Sequence, residues 1–324
     1  MFYRKVIRCF SFAAFYLLTI LCSAQNEIEK GGTFDYWRVR KIKESGIIGG
    51  HIKYLYVIAP QGDTIVGANA YRNPHGWVWS SSNVLAIVKG IVKTSCTVFP
   101  EVRGNGHCVR LETRMERVTA LGIINMHVIA SGTIFLGSMI EPIRNTDNPQ
   151  SKLDCGIPYS KKPNAISFDY KVNIGVNRVR ASGFGGKKEL HDNDYAECVV
   201  MLQKRWEDAN GKVYAKRIGT AFKRFTTADV KSEWTDGYTI PIMYGNITKE
   251  SSYRSYMGLI PAELSNYMIN SKGKSVPIIE LGWGDPDDIP THIIIRFSSS
   301  YGEAYVGDPS NKLWIDNVKL IEKR

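Results

Sequence analysis

The most regular feature of the chain is a two-residue alternation of apolar and polar positions within short runs. The runs are rich in β-branched and aromatic residues, and clusters of Gly, Pro, Asn and Asp separate them; examples are IKYLYVIAP, CVRLETR, NAISFDYKV and HIIIRFSSS. Neighbouring side chains of a strand point to opposite faces, so alternation of this kind marks half-buried strands. Many short strands separated by turn residues predict an all-β sandwich or barrel.

Two stretches give sharper local predictions. The pair Asn210-Gly211 lies between two long strand-like runs and tolerates the positive φ values of a tight turn, which predicts a β-hairpin. The stretch from Pro261 to Gly273 begins with Pro and ends with Gly, the asymmetry typical of a helix, so we expect a short loop helix there. No repeat and no Pro/Gly/Ser linker divides the chain, which indicates one domain over residues 25–324.

The strand-like run LWIDNVKL near the end of the chain places an acid among apolar residues. Strict alternation would put four side chains on one face, namely Trp314, Asp316, Val318 and Leu320. A buried carboxylate without a partner is costly. We therefore expect Asp316 to bind backbone N–H groups, an arginine or a metal ion.

The first 24 residues have the composition of a secretory signal peptide. Basic residues precede an apolar run that ends at Cys22, and small side chains follow up to Ala24. The run is shorter than the roughly 20 residues of a membrane-spanning helix. We expect removal of residues 1–24 and a periplasmic, extracellular or cell-surface location. Lipoprotein anchoring through Cys22 is disfavoured, because Ile20 and Leu21 are bulky where that signal has small residues.

The charge of the mature chain bears on its partners. Loss of the signal peptide removes three of the 42 Lys and Arg residues and none of the 31 Asp and Glu residues, which lowers the net charge from +11 to +8. The basic residues are scattered, as on a solvated surface. Export argues against nucleic acid as a partner, whereas acidic polysaccharides, an outer-membrane surface and other surface proteins stay open.

Four cysteines remain after cleavage: Cys96, Cys108, Cys155 and Cys198. An oxidising compartment permits one or two disulfides, whose pairing the sequence does not rank, and buried thiols are the alternative. The cysteines are too widely spaced for a compact zinc site.

Motifs of the common enzyme classes are absent from the sequence. It has no G-x-S-x-G elbow, no H-E-x-x-H, no P-loop and no dinucleotide fingerprint. Glycoside hydrolysis needs only two carboxylates at a suitable separation, and it stays open. The candidates near predicted strands are Glu112, Asp169, Glu197 and Glu207, and nothing in the sequence selects a pair of them.

Aromatic residues give the more informative signal. Sugar rings stack their C–H faces on aromatic side chains while their hydroxyls bind polar neighbours. Trp206 lies beside Arg205 near the end of the predicted hairpin, and Trp283 lies in a loop with Asp287. These four residues are the predicted saccharide contacts, with burial of each tryptophan in the core as the alternative.

Five stretches in order resemble a known family: HGWVWSSSNV, TVFPEVRGNGHCVRLETR, GTIFLGSMIEPI, CGIPYSKKPNAISFDYKV and FSSSYGEAYVGDPSNKLWIDNVKL. The family is the putative carbohydrate metabolism domain of exported proteins from gut-dwelling Gram-negative bacteria, and the similarity runs from about Phe34 to Ile321. It implies a jelly-roll β-sandwich similar to galactose-binding-like carbohydrate-binding modules. It names no catalytic residue.

The same resemblance suggests a function and a metal ligand. Relatives of this shape hold a structural calcium near the chain ends, which makes Asp316 a candidate ligand. We expect a secreted, non-catalytic module that binds oligo- or polysaccharide in a polysaccharide-using system. The alternatives are a glycoside hydrolase or lyase and a structural surface protein that binds other proteins.

Overall fold

The computed structural model describes residues 24–120, 124–145, 148–183 and 186–322, so the predicted signal peptide lies outside the described residues except for its last position. An α-helix covers residues 24–32, and no helix of the described part has the length and apolar character to cross a bilayer. Short 3₁₀ helices lie at Gly46–Ile48, Pro149–Lys152, Thr227–Asp229, Ile247–Lys249, Ser255–Met257 and Ala262–Leu264.

Strands make up most of the regular structure. In chain order they are β1 (Trp37–Lys43), β2 (Ile52–Ile58), β3 (Ile65–Val66), β4 (Trp79–Ser81), β5 (Val84–Val88), β6 (Ile91–Ser95), β7 (Val98–Arg103), β8 (Gly106–Ala120), β9 (Ile124–Ser131), β10 (Thr133–Met139), β11 (Leu153–Cys155), β12 (Ile157–Pro158), β13 (Ala165–Asn173), β14 (Val179–Arg180), β15 (Ser182–Gly183), β16 (Lys188–Glu189), β17 (Ala196–Glu207), β18 (Val213–Phe225), β19 (Thr235–Pro241), β20 (Met243–Tyr244), β21 (Tyr267–Ile269), β22 (Ser275–Trp283), β23 (His292–Ser298), β24 (Val306–Gly307) and β25 (Lys312–Ile321).

Two large sheets pack face to face. The first sheet has the order β11-β10-β23-β17-β18-β22-β21, and the second has the order β15-β9-β8-β25-β13-β19. The chain passes repeatedly from one sheet to the other, since β8 and β9 lie in the second, β10 in the first, β13 in the second and β17 in the first. This path confirms the predicted all-β jelly-roll sandwich.

Alternate residues of the facing strands form the core between the sheets. Side chains of the first sheet include Val200, Leu202, Ile293, Ile295 and Phe297, and they meet Ile166, Phe168, Leu313 and Ile315 of the second. The rings of Phe168 and Phe297 meet edge to face with centroids 4.9 Å apart. The period-two pattern of the sequence therefore reflects burial against the opposite sheet.

The predicted hairpin is confirmed. Strands β17 and β18 pair antiparallel over their whole length, and Gly211 at the turn has a φ of +86°. The Asp208 carboxylate accepts hydrogen bonds from the backbone N–H groups of Asn210 and Lys212, which closes the turn. The register shifts between Leu202 and Gln203, because β18 carries one extra residue, Ile218, at this point.

The helix predicted between Pro261 and Gly273 is wrong. The stretch holds only the 3₁₀ turn Ala262–Leu264, followed by β21, which pairs antiparallel with β22. The Asn270 side chain then accepts hydrogen bonds from the backbone N–H groups of Lys272 and Lys274 and forms a tight turn. The open edge of β22 supplies hydrogen bonds that outweigh the local helical signal, an effect of tertiary context.

The predicted terminal strand forms as β25, but the alternation of core-facing and outward-facing residues shifts by one position part-way along it. Asn317 has a φ of +51°, and the pairing with β13 shifts between Ser167 and Asp169. Because this bulge inserts one residue, Leu313 and Ile315 face the core before it, and Val318 and Leu320 face the core after it. The prediction that Trp314 shares the core face was therefore wrong.

Asp316 finds two of its three predicted types of partner, an arginine and the backbone N–H of Asn317, which donates to Asp316 Oδ1 at 2.8 Å. Arg103 Nη1 donates to Asp316 Oδ2 at 2.6 Å and to Asp169 Oδ2 at 2.8 Å. The guanidinium also lies 3.9 Å from the ring centroid of Trp234. The described residues contain no group of three or more His, Cys, Asp or Glu side chains arranged to hold a metal. The two carboxylates fit the guanidinium cation, which would repel a calcium ion at the same position.

We expect calcium removal to leave the melting temperature unchanged, because the counter-ion of Asp316 is Arg103. Replacing Arg103 with alanine should instead lower the free energy of unfolding by about 2–3 kcal/mol, since two nearly buried carboxylates lose their partner. Thermal unfolding with and without a chelator checks both expectations. A melting temperature that falls on chelation and returns with added calcium would contradict the account.

The four cysteines Cys96, Cys108, Cys155 and Cys198 are free thiols. Cys108, Cys155 and Cys198 are buried and Cys96 is half-buried. Burial raises the pKa of Cys96 and Cys155 to about 11 and that of Cys108 to about 12. The structure thus favours the core-thiol alternative over disulfides.

Candidate functional site

The predicted saccharide contacts fall on two faces of the first sheet. Trp206 is 42% exposed, and its ring stacks on that of Tyr214 across the hairpin with centroids 5.9 Å apart. Arg205, the next residue of β17, points to the opposite face and is buried. Trp283 lies on the face of Arg205, because it pairs with Arg217, whose guanidinium is 5.7 Å from its ring. The four residues therefore do not form one site.

The Trp206 ledge is the open sheet face formed by Trp206, Tyr214 and Lys204. Alternation along β17 places Lys204 and Trp206 on the same face as the core residues Val200 and Leu202. Lys204 Nζ donates to Asp288 Oδ1 at 2.7 Å and ties the loop after β22 to this face. Asp287 in the same loop is fully exposed, 3.9 Å from Lys162. An aromatic pair with polar neighbours suits a sugar ring, so saccharide contact at Trp206 stays a prediction.

Arg205 belongs instead to a buried polar network. Its guanidinium donates to the carbonyl of Cys155 at 3.0 Å and to the side chain of Gln203 at 2.9 Å. Gln203 and Arg217 both donate to Glu280, which is also buried. Burial lowers the pKa of Arg205 to about 10. These groups hold β17, β18 and β22 together and are closed to a ligand.

His292, which pairs with Gln203 beside this network, should make stability depend on pH. Burial, with the charge of Arg205 nearby, lowers the pKa of His292 from 6.5 to about 3. The unfolded chain takes up this proton below about pH 6.5, and the folded chain takes it up only near pH 3. The free energy of unfolding is therefore undiminished at neutral pH and falls as the pH decreases through this range. Replacing His292 with glutamine should reduce the loss between pH 7 and pH 4. Urea unfolding of both proteins across that range measures their free energies of unfolding. Equal losses in the two proteins would contradict this prediction.

A cleft of about 330 Å³ lies near the other end of β17. Its floor is the outward face of the first sheet and carries Thr133, Glu197, Arg296 and Ser298. One wall consists of the β5–β6 hairpin and the segments 139–145 and 149–153, and the other of β9 and the loop 300–305. The cleft therefore collects residues from six separate parts of the chain.

Hydroxyl groups line much of this cleft, namely those of Ser82, Ser95, Thr97, Ser131, Thr133, Ser298 and Ser300. Some of them bind each other, as Ser82 binds Thr97 and Thr133 binds Ser298, both at 2.9 Å. A hydroxyl has one donor and two acceptor positions, so a paired hydroxyl can still bind a ligand. The lining thus suits a ligand that is itself rich in hydroxyl groups.

A carboxylate and a guanidinium lie side by side on the floor. Arg296 Nη2 donates to Glu197 Oε1 at 3.0 Å, and Arg224 Nε lies 3.8 Å from the other oxygen of Glu197. The Nε of Arg296 is buried and has no hydrogen-bond acceptor among the described residues. The floor therefore holds an acid paired with two arginines, and the Arg296 side chain beside it is 22% exposed.

The loop 300–305 brings two tyrosines, Tyr301 and Tyr305, to the cleft wall. Asp194 anchors the loop from below, because its buried carboxylate accepts hydrogen bonds from Ser300 Oγ and from the backbone N–H of Asp308. Burial raises the pKa of Asp194 in spite of these bonds. The ring of Tyr301 packs on the guanidinium of Arg224 at 4.1 Å. The wall is thus fixed by bonds to elements outside the cleft.

Alternation within β5 builds the opposite wall. Val84 and Ala86 face the cleft, whereas Leu85 and Ile87 pack into a small separate core. The Leu85 N–H donates to Glu141 Oε1 at 2.8 Å, and Glu141 forms a fully buried ion pair with Arg40 of β1. The Glu141 carboxylate therefore connects the β5–β6 hairpin, β1 and the segment after β10.

Of the four carboxylates singled out in the sequence, only Glu197 lines the cleft. Asp169 pairs with Arg103, Glu112 with Arg110, and Glu207 binds Ser271. Sequence reasoning missed Glu303, a second carboxylate of the cleft. The hydroxyl-rich run Ser298-Ser299-Ser300-Tyr301, which strand alternation leaves unexplained, is a sequence signal by which this cleft could have been found.

A comparison of the chain with protein-family models gives a match. The family model described as "Putative carbohydrate metabolism domain" matches residues 60–262. The chain belongs to this family. No curated protein matches the chain. The family match covers β3 to β20 and therefore much of the cleft, including Thr133 and Glu197.

Several solved structures are similar to this chain. A structure described as a putative glycoside hydrolase from Bacteroides thetaiotaomicron VPI-5482 is 18% identical, with 88% of this chain and 71% of that chain covered and a TM-score of 0.47. One so described from Bacteroides vulgatus ATCC 8482 is 17% identical, with 70% and 78% covered and a TM-score of 0.43. A carbohydrate-binding module, CBM28, specific for non-crystalline cellulose, is 10% identical, with 71% and 84% covered and a TM-score of 0.26.

Proposed function

We propose that this protein is an exported, non-catalytic module that binds an oligo- or polysaccharide, and that the cleft receives the sugar. The observation that supports it best is the cleft lining, in which seven hydroxyls, two tyrosines and the Glu197–Arg296 pair converge. Sugar hydroxyls donate and accept hydrogen bonds, as this lining does. The family to which the chain belongs is itself carbohydrate-related.

The size of the cleft suits a small part of a glycan. Its volume of about 330 Å³ lies at the lower end of the range of ligand sites, roughly 300–1,000 Å³, which corresponds to about one or two sugar rings. A chain end or a short oligosaccharide therefore fits better than the middle of an extended polymer. In a polysaccharide-using system, such a module would hold fragments at the cell surface or in the periplasm.

Replacing Trp206 with alanine should leave saccharide affinity within about twofold of the wild-type value, because the Trp206 ledge lies on the opposite face from the cleft, about nine residues or 30 Å along β17. Isothermal titration of both proteins with a saccharide selected on a glycan microarray measures this. A loss of tenfold or more would move the site to the ledge, as the sequence alone predicts.

Glycoside hydrolysis is the second candidate, because two carboxylates, Glu197 and Glu303, line the cleft. Both are held by arginines, Glu197 by Arg296 and Glu303 by Arg180 at 2.7 Å, which suits binding better than proton transfer. Release of reducing ends from a bound oligosaccharide, abolished in a Glu197→Gln variant, would establish hydrolysis. A ligand recovered intact after long incubation would support binding alone.

A further inference from the structure

The acids of the cleft are already neutralised by cations. Glu197 lies within 3.0 Å of Arg296 and 3.8 Å of Arg224, and Glu303 lies within 2.7 Å of Arg180. These three arginines outnumber the two carboxylates that they pair with. The acids of the cleft therefore leave no negative field for a cationic ligand.

Lys152 adds a positive charge that has no ion pair within the described part of the chain. Its side chain lines the cleft from the segment before β11, and it is half-buried. Among the described residues it has no ion pair with an acid and no side-chain hydrogen bond, although Glu197 and Glu303 line the same cleft. An ammonium group in this position attracts an anion that enters the cleft.

Arg296 contributes a second positive charge on the floor of the cleft. Its Nη2 donates to Glu197 and its Nη1 donates to Asn266 at 3.4 Å. Its Nε is buried, so a bound anion meets the exposed part of the guanidinium, on a side chain that is 22% exposed. Arginine and lysine are also the residues that bind carboxylate and sulfate groups most strongly.

We infer that the saccharide of the cleft is anionic, a uronate or a sulfated sugar, and that Lys152 and Arg296 bind its charged group. This inference rests on the proposed function, since it specifies the ligand of the same cleft. The hydroxyls of the lining bind the neutral part of the sugar. The net charge of +8 expected for the mature chain would speed the approach of such a ligand.

The test compares ligands that differ only in charge. The mature protein is titrated calorimetrically with oligogalacturonate and with its methyl ester, and in a second arm with a sulfated galactan oligosaccharide and its desulfated form. We expect one of the two charged ligands to bind at least tenfold more tightly than its neutral form, and the arm in which it does so distinguishes carboxylate from sulfate. Raised salt should weaken only the charged ligand.

Two variants place the charge recognition in the cleft. Replacing Lys152 with glutamine should lower affinity for the charged ligand about tenfold and leave the neutral form unchanged. Replacing Lys204 with glutamine removes an equal charge from the Trp206 ledge and should change neither affinity. An unchanged affinity in the Lys152→Gln variant, or an equal loss in the Lys204→Gln variant, would overturn the inference.

Failure of the inference and failure of the proposed function give different results. If neutral saccharides bind as tightly as their charged forms, the anionic specificity is wrong and the saccharide-binding cleft stands. If neither these ligands nor any microarray glycan binds, the proposed function fails and the inference fails with it.

Discussion

Replacing Glu141 with alanine should lower the free energy of unfolding by about 3–5 kcal/mol, the usual cost of leaving a buried charge unpaired. The side chains of Glu141 and Arg40 are each only 1% exposed, with two N–O contacts of 2.7 and 2.9 Å. The carboxylate also accepts hydrogen bonds from the backbone N–H groups of Tyr71 and Leu85. Alanine would leave the Arg40 guanidinium and the backbone N–H groups of Tyr71 and Leu85 without this acceptor.

Urea unfolding of the variant measures this loss of stability, and two further variants serve as controls. Glu141→Gln keeps part of the hydrogen bonding and should fall between wild type and Glu141→Ala. Glu303→Ala removes an exposed pair with Arg180 and should cost about 0.5 kcal/mol or less. If the free energy of unfolding of Glu141→Ala fell by less than about 1 kcal/mol, Arg40 would have found another partner. The bonds of Glu141 would then not be what holds the cleft wall in place.

Replacing Ala86 with tryptophan should abolish saccharide binding, with a loss of at least 100-fold in affinity. Ala86 faces the cleft from β5, and a large indole there would occupy much of the 330 Å³ available to a sugar. The side chain would point into open space and away from the small core around Leu85, so the fold should persist.

Unchanged thermal unfolding would establish that the Ala86→Trp variant is folded. Replacing Trp206 with alanine serves as the matched control, since it alters an aromatic site on the opposite face. Full affinity in Ala86→Trp, or a loss confined to Trp206→Ala, would place the sugar outside the cleft.

Most of the strands and the main hairpin follow from local sequence. The turn at Asn210-Gly211 and the alternation of apolar positions depend only on neighbouring residues, and both predictions are confirmed. The bulge at Asn317 depends on the register of β13 against β25, which no local pattern encodes. For that reason the face assigned to Trp314 was wrong although the strand was right.

The candidate site was less accessible to sequence reasoning. Alternation alone separates Arg205 from Trp206, and burial of Arg205 follows from a network whose members lie far apart in the chain. The cleft joins Thr133, Glu197 and Arg296, which the jelly-roll path brings together from three strands. Such a convergence exists only once the strands are ordered in space.

A glycan microarray probed in parallel with the wild-type protein and the Ala86→Trp variant tests the central claim most directly. The account predicts that wild type binds a restricted set of glycans and that the variant binds none of them. Absence of wild-type binding to every plant, host and microbial glycan would contradict saccharide binding. Equal binding by both proteins would contradict the cleft as its site.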